Sequence, residues 1–342
     1  MLLHIVKLRV FDENNWRNFN MSHFLCHFSS EKKDQYMILN LDNEMELIEK
    51  LPDYYRKCYI HDENLKERIS NFELPAQKIL EKLVPDPGKT MSGEFAEILT
   101  YQLIIDMYKE YNLFGPKKWL WKVDRNEPMK KTDVILFGFK SQGMVSCEDL
   151  VVSAEIKSKA TEGAFHPLQD AINGSKDDYV KRMAMTLSWL EEQYIRLNDL
   201  EAKNSIQRFI DSIKPEYGPF RKHFKAMAVI DSKMIQDELN REIDLSVKLY
   251  KKDWKKIQKE CEGFGATYDD INRMLSFKNV KREVIVQSNC KQKDYILYLY
   301  DLYHFKLVDY SDVTIISLEN LKETYEGIYK RILTSYQEVI NE

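Results

Sequence analysis

The chain has 342 residues, 44% of them hydrophobic and 31% charged, with a formal net charge of -4. That is enough apolar material for an ordinary buried core, and the length favours two lobes or one elaborated domain. The balance excludes a polycation, so any grip on nucleic acid must come from a local basic surface. No run approaches the roughly 18 uninterrupted apolar residues of a membrane span.

A first strand is expected over Leu2–Phe11, where charges at Lys7 and Arg9 interrupt any secretory signal. His23, Cys26 and His27 look like a metal cluster, but no second pair of ligands follows nearby, which favours a structural role. The five cysteines (26, 58, 147, 261 and 290) form no CxxC pair, so a reducing, cytoplasmic setting is expected. A second strand is read near Tyr36–Leu41 and a helix over Asn43–Lys50, with Tyr54-Tyr55 opening another short segment after Pro52. Pro85-Asp-Pro-Gly88 is the clearest break, because two prolines and a glycine forbid regular pairing. Residues 1–88 are therefore expected to form a small N-terminal α+β lobe, and residues 89–342 the main domain with helical additions.

Ser92 is positioned to cap the next helix, with Glu94 and Glu97 in its first turns and Phe95, Ile98, Leu99, Leu103 and Met107 as its apolar stripe. Gly115-Pro116 closes it. Three strands are then expected: Trp119–Val123, Asp133–Phe139 and Leu150–Ser158. A helical region from about Pro167 to Leu200, interrupted near Gly174, precedes a strand at Lys225–Asp231. Helices follow at roughly 233–260 and 267–276, strand candidates at Glu283–Gln287 and Val313–Leu318, and a last helix from about Glu319. The order helix, three strands, helix, strand predicts an α/β fold with a mixed central sheet flanked by helices.

The charged residues of two of these strands carry the chemistry. In Leu150-Val-Val-Ser-Ala-Glu-Ile-Lys-Ser158, side chains alternate, so Ser153, Glu155 and Lys157 share one face at spacings of about 6.6 Å. Asp133 opens the preceding strand, Lys131-Thr-Asp-Val-Ile-Leu-Phe-Gly-Phe139. Two carboxylates and an ammonium on adjacent strands are costly to desolvate unless a cation or an anionic ligand joins them. The plain alternative is a solvated ion pair at a strand end, worth under about 1 kcal/mol. E-x-K also occurs at Glu31-Lys-Lys33 and Glu201-Ala-Lys203, in polar surroundings, so the spacing arises by chance as well. Glu97 lies deeper in its helix than the dipole explains, whereas Glu94 is covered by that explanation.

These residues resemble the PD-(D/E)xK nuclease superfamily over about residues 90–232: an acid on a first helix after a glycine, an aspartate on the next strand and E-x-K on the one after. The matching positions are Glu97 (with Glu94 the other helix acid), Asp133, Glu155 and Lys157, while Thr132 stands where the pattern has proline. Gln169 and Tyr179 match a further glutamine and tyrosine of some members only loosely. More narrowly, the Ser-Gly-Glu helix start, the Lys-Thr-Asp-Val-Ile-Leu and Ala-Glu-Ile-Lys-Ser strands and the extra N-terminal lobe resemble the HamA family, nuclease subunits of Hachiman anti-phage systems.

The resemblance implies a restriction-endonuclease-like core and hydrolysis of DNA phosphodiesters. It implies Mg²⁺, replaceable by Mn²⁺, on Asp133, Glu155, the backbone carbonyl of Ile156 and Glu97, and a HamB-like helicase partner with no membrane involvement. Lys157 would orient the attacking water or stabilise the pentacovalent state. Lys130, Lys131 and Lys159 would contact DNA, and Lys117, Lys118, Lys122, Arg125 and Lys140 would steer it. The amphipathic stretch Lys248–Lys259 is read as packed inward, and His166 as a loop or capping residue. A non-catalytic, nuclease-like DNA-binding or regulatory module is the alternative.

Overall fold

The computed structural model describes residues 21–32, 36–129, 131–141, 145–146, 148–178, 182–211, 220–241 and 313–334. Its described strands form one six-stranded mixed sheet: β1 (Phe28–Lys32), β2 (Met37–Leu41), β3 (Val134–Gly138), β4 (Leu150–Lys159), β5 (Arg221–Asp231) and β6 (Val313–Leu318), in the order β1-β2-β6-β5-β4-β3. The inner pairings β2–β6, β6–β5 and β5–β4 are parallel, and the outer pairs β1–β2 and β3–β4 are antiparallel. A sheet covered on both faces has near-continuous apolar strands. Accordingly β5 carries the run Ala-Met-Ala-Val-Ile before its last residue, Asp231, and β6 is buried throughout.

One face carries α5 (Lys89–Met107), whose Phe95, Ile98 and Leu99 meet Val152, Ala154 and Ile156 of β4. The other face carries α6 (Pro167–Asp177) over β4 and β5, and α7 (Met183–Arg196) and α8 (Leu200–Ile210) over Ile135, Phe137 and Val151. The face holding Ser153 and Glu155 is thus roofed by helices, and both residues are buried. A buried carboxylate must find partners or lose its charge, and this decides what surrounds it.

Helices α1 (Glu44–Lys50, capped by Asn43), α2 (Pro52–Lys57), α3 (Asp62–Phe72) and α4 (Ala76–Leu80) precede α5. Helix α9 (Ser232–Leu239) follows β5, and α10 (Leu321–Ile332) packs on α1, α2 and α5. The expected lobe boundary falls between α4 and α5. Even so, β2 pairs with β6, and Tyr55 of α2 shares a core with Phe95, so described residues on both sides of position 88 share one sheet and one core.

Several expectations need correction. Trp119–Val123 is not a strand: Lys118–Trp121 is a 3₁₀ helix. A strand would send Lys118 and Trp119 to opposite faces, whereas here both are buried. Beyond β3 the described sheet continues only as a single-residue bridge, Phe114 N–H to the Phe137 carbonyl at 2.9 Å with the reverse bond at 2.7 Å. Ser92 is not the cap of α5, since its N–H already donates to the Gly88 carbonyl within the helix. Helix α6 runs through Gly174 to Asp177, so the interruption expected near Gly174 is absent there. Strand β1 falls in a stretch where no strand is expected, because all its residues except Phe28 are exposed on a sheet edge. Leu2–Phe11, residues 242–260 and 267–276, Glu283–Gln287, Lys248–Lys259, Lys130 and Tyr179 lie outside the described residues. No described helix is long and apolar enough to cross a membrane.

Candidate active site

The register of the antiparallel β3–β4 pair runs Val134↔Ala154, Ile135↔Ser153 and onward, so one step further sets Asp133 opposite Glu155. Cross-strand neighbours of this kind bring side chains within about 5.5 Å at Cβ. Asp133 Oδ2 accepts the Ile156 N–H at 2.8 Å, in place of a ladder bond from β3, which begins only at Val134. In an antiparallel pair a residue's N–H and C=O leave along one edge. The Ile156 carbonyl therefore also faces the Asp133 side.

Glu155 is 3% exposed. Lys157 pairs with its Oε1, and Arg182 Nη2 with its Oε2 at 2.6 Å. Arg182 Nη2 also donates to the Gly174 carbonyl at 2.6 Å, and its Nε pairs with Asp178. Asp178 is fully buried and accepts from Ser153 Oγ at 2.9 Å and Thr132 Oγ1 at 3.2 Å. Gly174 lets α6 lie directly on this carboxylate: a Cβ there would overlap the Cγ, Cδ and Oε1 of Glu155. Thr132 explains the missing proline. Its N–H donates to Thr186 Oγ1 at 3.3 Å, a bond proline cannot make. Lys131, just before it, takes a φ of 100°, a backbone conformation costly for a side chain with a Cβ.

Glu97 approaches from α5. Its Oε2 accepts from Trp119 Nε1 at 3.1 Å and meets Lys118 Nζ at 3.1 Å, and the same ammonium donates to the Thr132 carbonyl at 3.3 Å. Lys118 thus ties α5 to the segment carrying Asp133. Burial raises the Glu97 carboxyl to about 7; the negative charges of Asp133 and Glu94 push the same way and Lys118 opposes them. Burial, then Asp133, likewise raises Glu155 to about 7 against Lys157 and Arg182. Burial alone would lower Lys157, but Asp133 and Glu155 hold it above its ordinary value. The shared perturber, Asp133, marks Glu97 and Glu155 as its neighbours.

The structure therefore places Asp133, Glu155, Ile156 and Lys157 at one end of the β3–β4 pair, and Glu97 is linked to the segment carrying Asp133 through Lys118. Sequence reasoning missed Arg182 and Asp178, although their i, i+4 spacing was a visible cue. Lys159 is corrected: it is buried, donates to the Phe165 carbonyl at 2.8 Å and so is not presented to a phosphate. The basic cluster is corrected in part. Lys118 and Lys122 serve Glu97 and Glu94, Lys117 lies over the Tyr54 ring at 5.5 Å with its amine lowered to about 8 by burial, and Arg125 pairs with Asp86 at 2.6 Å. Lys140 remains exposed. His166 contacts Glu238 rather than the site.

Among the described residues no group of three His, Cys, Asp or Glu side chains is gathered as a ready metal-binding set. In donor chemistry the site nevertheless suits a hard divalent cation: two facing carboxylates and a backbone carbonyl, all oxygen, beside a glycine that leaves Glu155 its space. Both oxygens of Glu155 are engaged by cationic side chains, so a metal ion would enter by exchange.

Among family models, the one described as HamA matches residues 11–332, nearly the whole chain. The chain belongs to the HamA family, and that membership supports a role in Hachiman anti-phage defence. No curated protein and no solved structure matches it.

Proposed function

We propose that this HamA-family chain is a Mg²⁺-dependent deoxyribonuclease of the PD-(D/E)xK type and the effector subunit of a cytoplasmic defence complex with a HamB-like helicase. The observation carrying this reading is Asp133 Oδ2 accepting the Ile156 N–H at 2.8 Å, next to Glu155, with Lys157 paired to Glu155 on the same strand. Asp133, Glu155 and the Ile156 carbonyl would hold the ion, with Mn²⁺ able to replace Mg²⁺. Bound there, the ion supplies an acidified water and Lewis-acid neutralisation of the phosphoryl oxygens. Lys157 carries its proton firmly and would stabilise the charge that develops as the phosphorus becomes five-coordinate. Glu97, raised to about 7, suits exchange of a proton with water near neutral pH. Lys131 and Lys130 precede Asp133 in sequence and would meet the flanking DNA backbone.

The engagement of both Glu155 oxygens by cationic side chains favours a second reading, a non-catalytic DNA-binding or regulatory subunit. The deciding experiment incubates the purified chain, alone and with its helicase, with plasmid, linear and single-stranded DNA in Mg²⁺. Cleavage abolished by chelator and by Lys157→Ala is expected. DNA affinity indifferent to chelator, with no cleavage in any arm, would establish the second reading. Helicase docking on residues 1–88 is best tested by charge reversal at exposed Glu31 and Lys32, because deleting that segment removes β1 and β2 from the shared sheet.

A further inference from the structure

We infer that Arg182 is a resident counter-cation of this site, holding the Glu155 carboxylate until a divalent ion takes its place. The inference rests on the metal-dependent reading above and adds a residue that the motif does not contain. Asp133, just before β3, accepts the N–H of Ile156 beside Glu155, and Glu155 is almost fully enclosed. Two such carboxylates cannot both stay ionised without compensating positive charge. The described residues supply one cation to each Glu155 oxygen, Lys157 to Oε1 and Arg182 to Oε2.

The two cations are held differently. Lys157 is two residues from Glu155 on the same strand. Arg182 arrives from the start of α7 and is anchored through the adjacent nitrogen of its guanidinium, where Nε pairs with Asp178. Asp178 is itself fixed by Ser153 and Thr132. Nη2 also donates to the Gly174 carbonyl at 2.6 Å, so a side chain that pivots off Glu155 exchanges or shares that bond while the Nε pair with Asp178 holds it nearby. The Arg182 side chain is 27% exposed, so solvent can receive the freed end. The Oε1 side of Glu155 is roofed, because a Cβ at Gly174 would overlap Cγ, Cδ and Oε1, and Lys157 covers the same oxygen. Oε2, held by the partly exposed guanidinium, is therefore the oxygen an incoming ion would take.

The test is a calorimetric Mn²⁺ titration of the full chain, comparing wild type with Arg182→Gln, Arg182→Lys and Asp133→Asn. Removing the competitor should tighten Mn²⁺ binding by about tenfold in Arg182→Gln, the equivalent of one charge-assisted hydrogen bond. Arg182→Lys keeps a cation on Asp178 but cannot bridge two carboxylates, so it should show a smaller gain. Wild-type binding that depends on Asp133 but is unchanged or weakened in both Arg182 variants would overturn the inference and leave the metal reading standing. Absence of Mn²⁺ binding in every protein would overturn both. Should Arg182→Gln fail to fold by circular dichroism, Arg182→Lys decides, and no gain there counts against the proposal.

Discussion

Glu94 and Glu97 stand one turn apart on α5, and each meets a lysine at or beside the 3₁₀ segment Lys118–Trp121, yet their surroundings differ in kind. Around Glu94 both oxygens are used: Lys122 takes Oε1, and Tyr59 donates to Oε2 at 2.7 Å while lying 2.7 Å from the Tyr329 hydroxyl. Those tyrosines come from α10 and the residues just after α2, so Glu94 closes a buried junction of three helical segments. Around Glu97 both contacts fall on Oε2, and the neighbouring charge is another acid, Asp133. A buried acid with every lone pair answered is a structural joint, whereas one left facing another acid is poised to accept a cation or a proton.

The widest separation between the two regions should come from Asp133→Asn and Lys157→Ala, which are expected to lower DNA cleavage about 10³-fold with little change in unfolding midpoint. Glu94→Gln should act on stability instead. It leaves the Lys122 ammonium, 4% exposed, without its carboxylate and should cost about 3 kcal/mol in chemical denaturation. If Glu94→Gln abolished cleavage without loss of stability, the comparison would be reversed. Glu97→Gln should lower turnover about 100-fold, near the low end for a lost acid–base group, while destabilising less than Glu94→Gln.

Gly174→Ala probes the roof over Glu155. Helix propensity gains about 1 kcal/mol, but overpacking against the carboxylate costs about 1–3 kcal/mol. Activity should fall about tenfold through displacement of Glu155, with a small net change in stability. A gain in stability with full activity would show that α6 can move aside.

The smallest effect is in pH. Glu97 and Glu155 are raised to about 7 from 4.5, so between those values the folded chain binds more protons than the unfolded one. Their contribution to stability is present below about pH 4.5, falls as pH rises and is lost above about 7. Thermal unfolding in chelator should thus show a midpoint a few degrees lower at pH 7.5 than at pH 5.5, with Mg²⁺ restoring more of it at the higher pH.

Much of this was legible locally. Alternation in Val-Val-Ser-Ala-Glu-Ile-Lys put Glu155 and Lys157 on one face, Asn43 caps α1 and the Pro85–Gly88 break ends just before α5. Tertiary context separated the three E-x-K occurrences: Glu31 is exposed on the edge strand β1, Glu201 is exposed in the first turn of α8, and only Glu155 is buried on an inner strand. The lysines misled because a basic run reads as surface. Lys118 and Lys122 instead turn inward to acids more than 20 residues away, which no local pattern encodes.

Sequence alone determined the strand carrying Glu155 and Lys157, the nearby acids and the resemblance they support, because backbone period and side-chain chemistry are local properties. Tertiary structure alone decided which charges meet: Arg182 on Glu155, Lys118 on Glu97, and Lys159 withdrawn from the surface. The physical reason is desolvation. Once α5 and α6 cover the two faces of the sheet, each buried charge must take the partner that packing brings within reach.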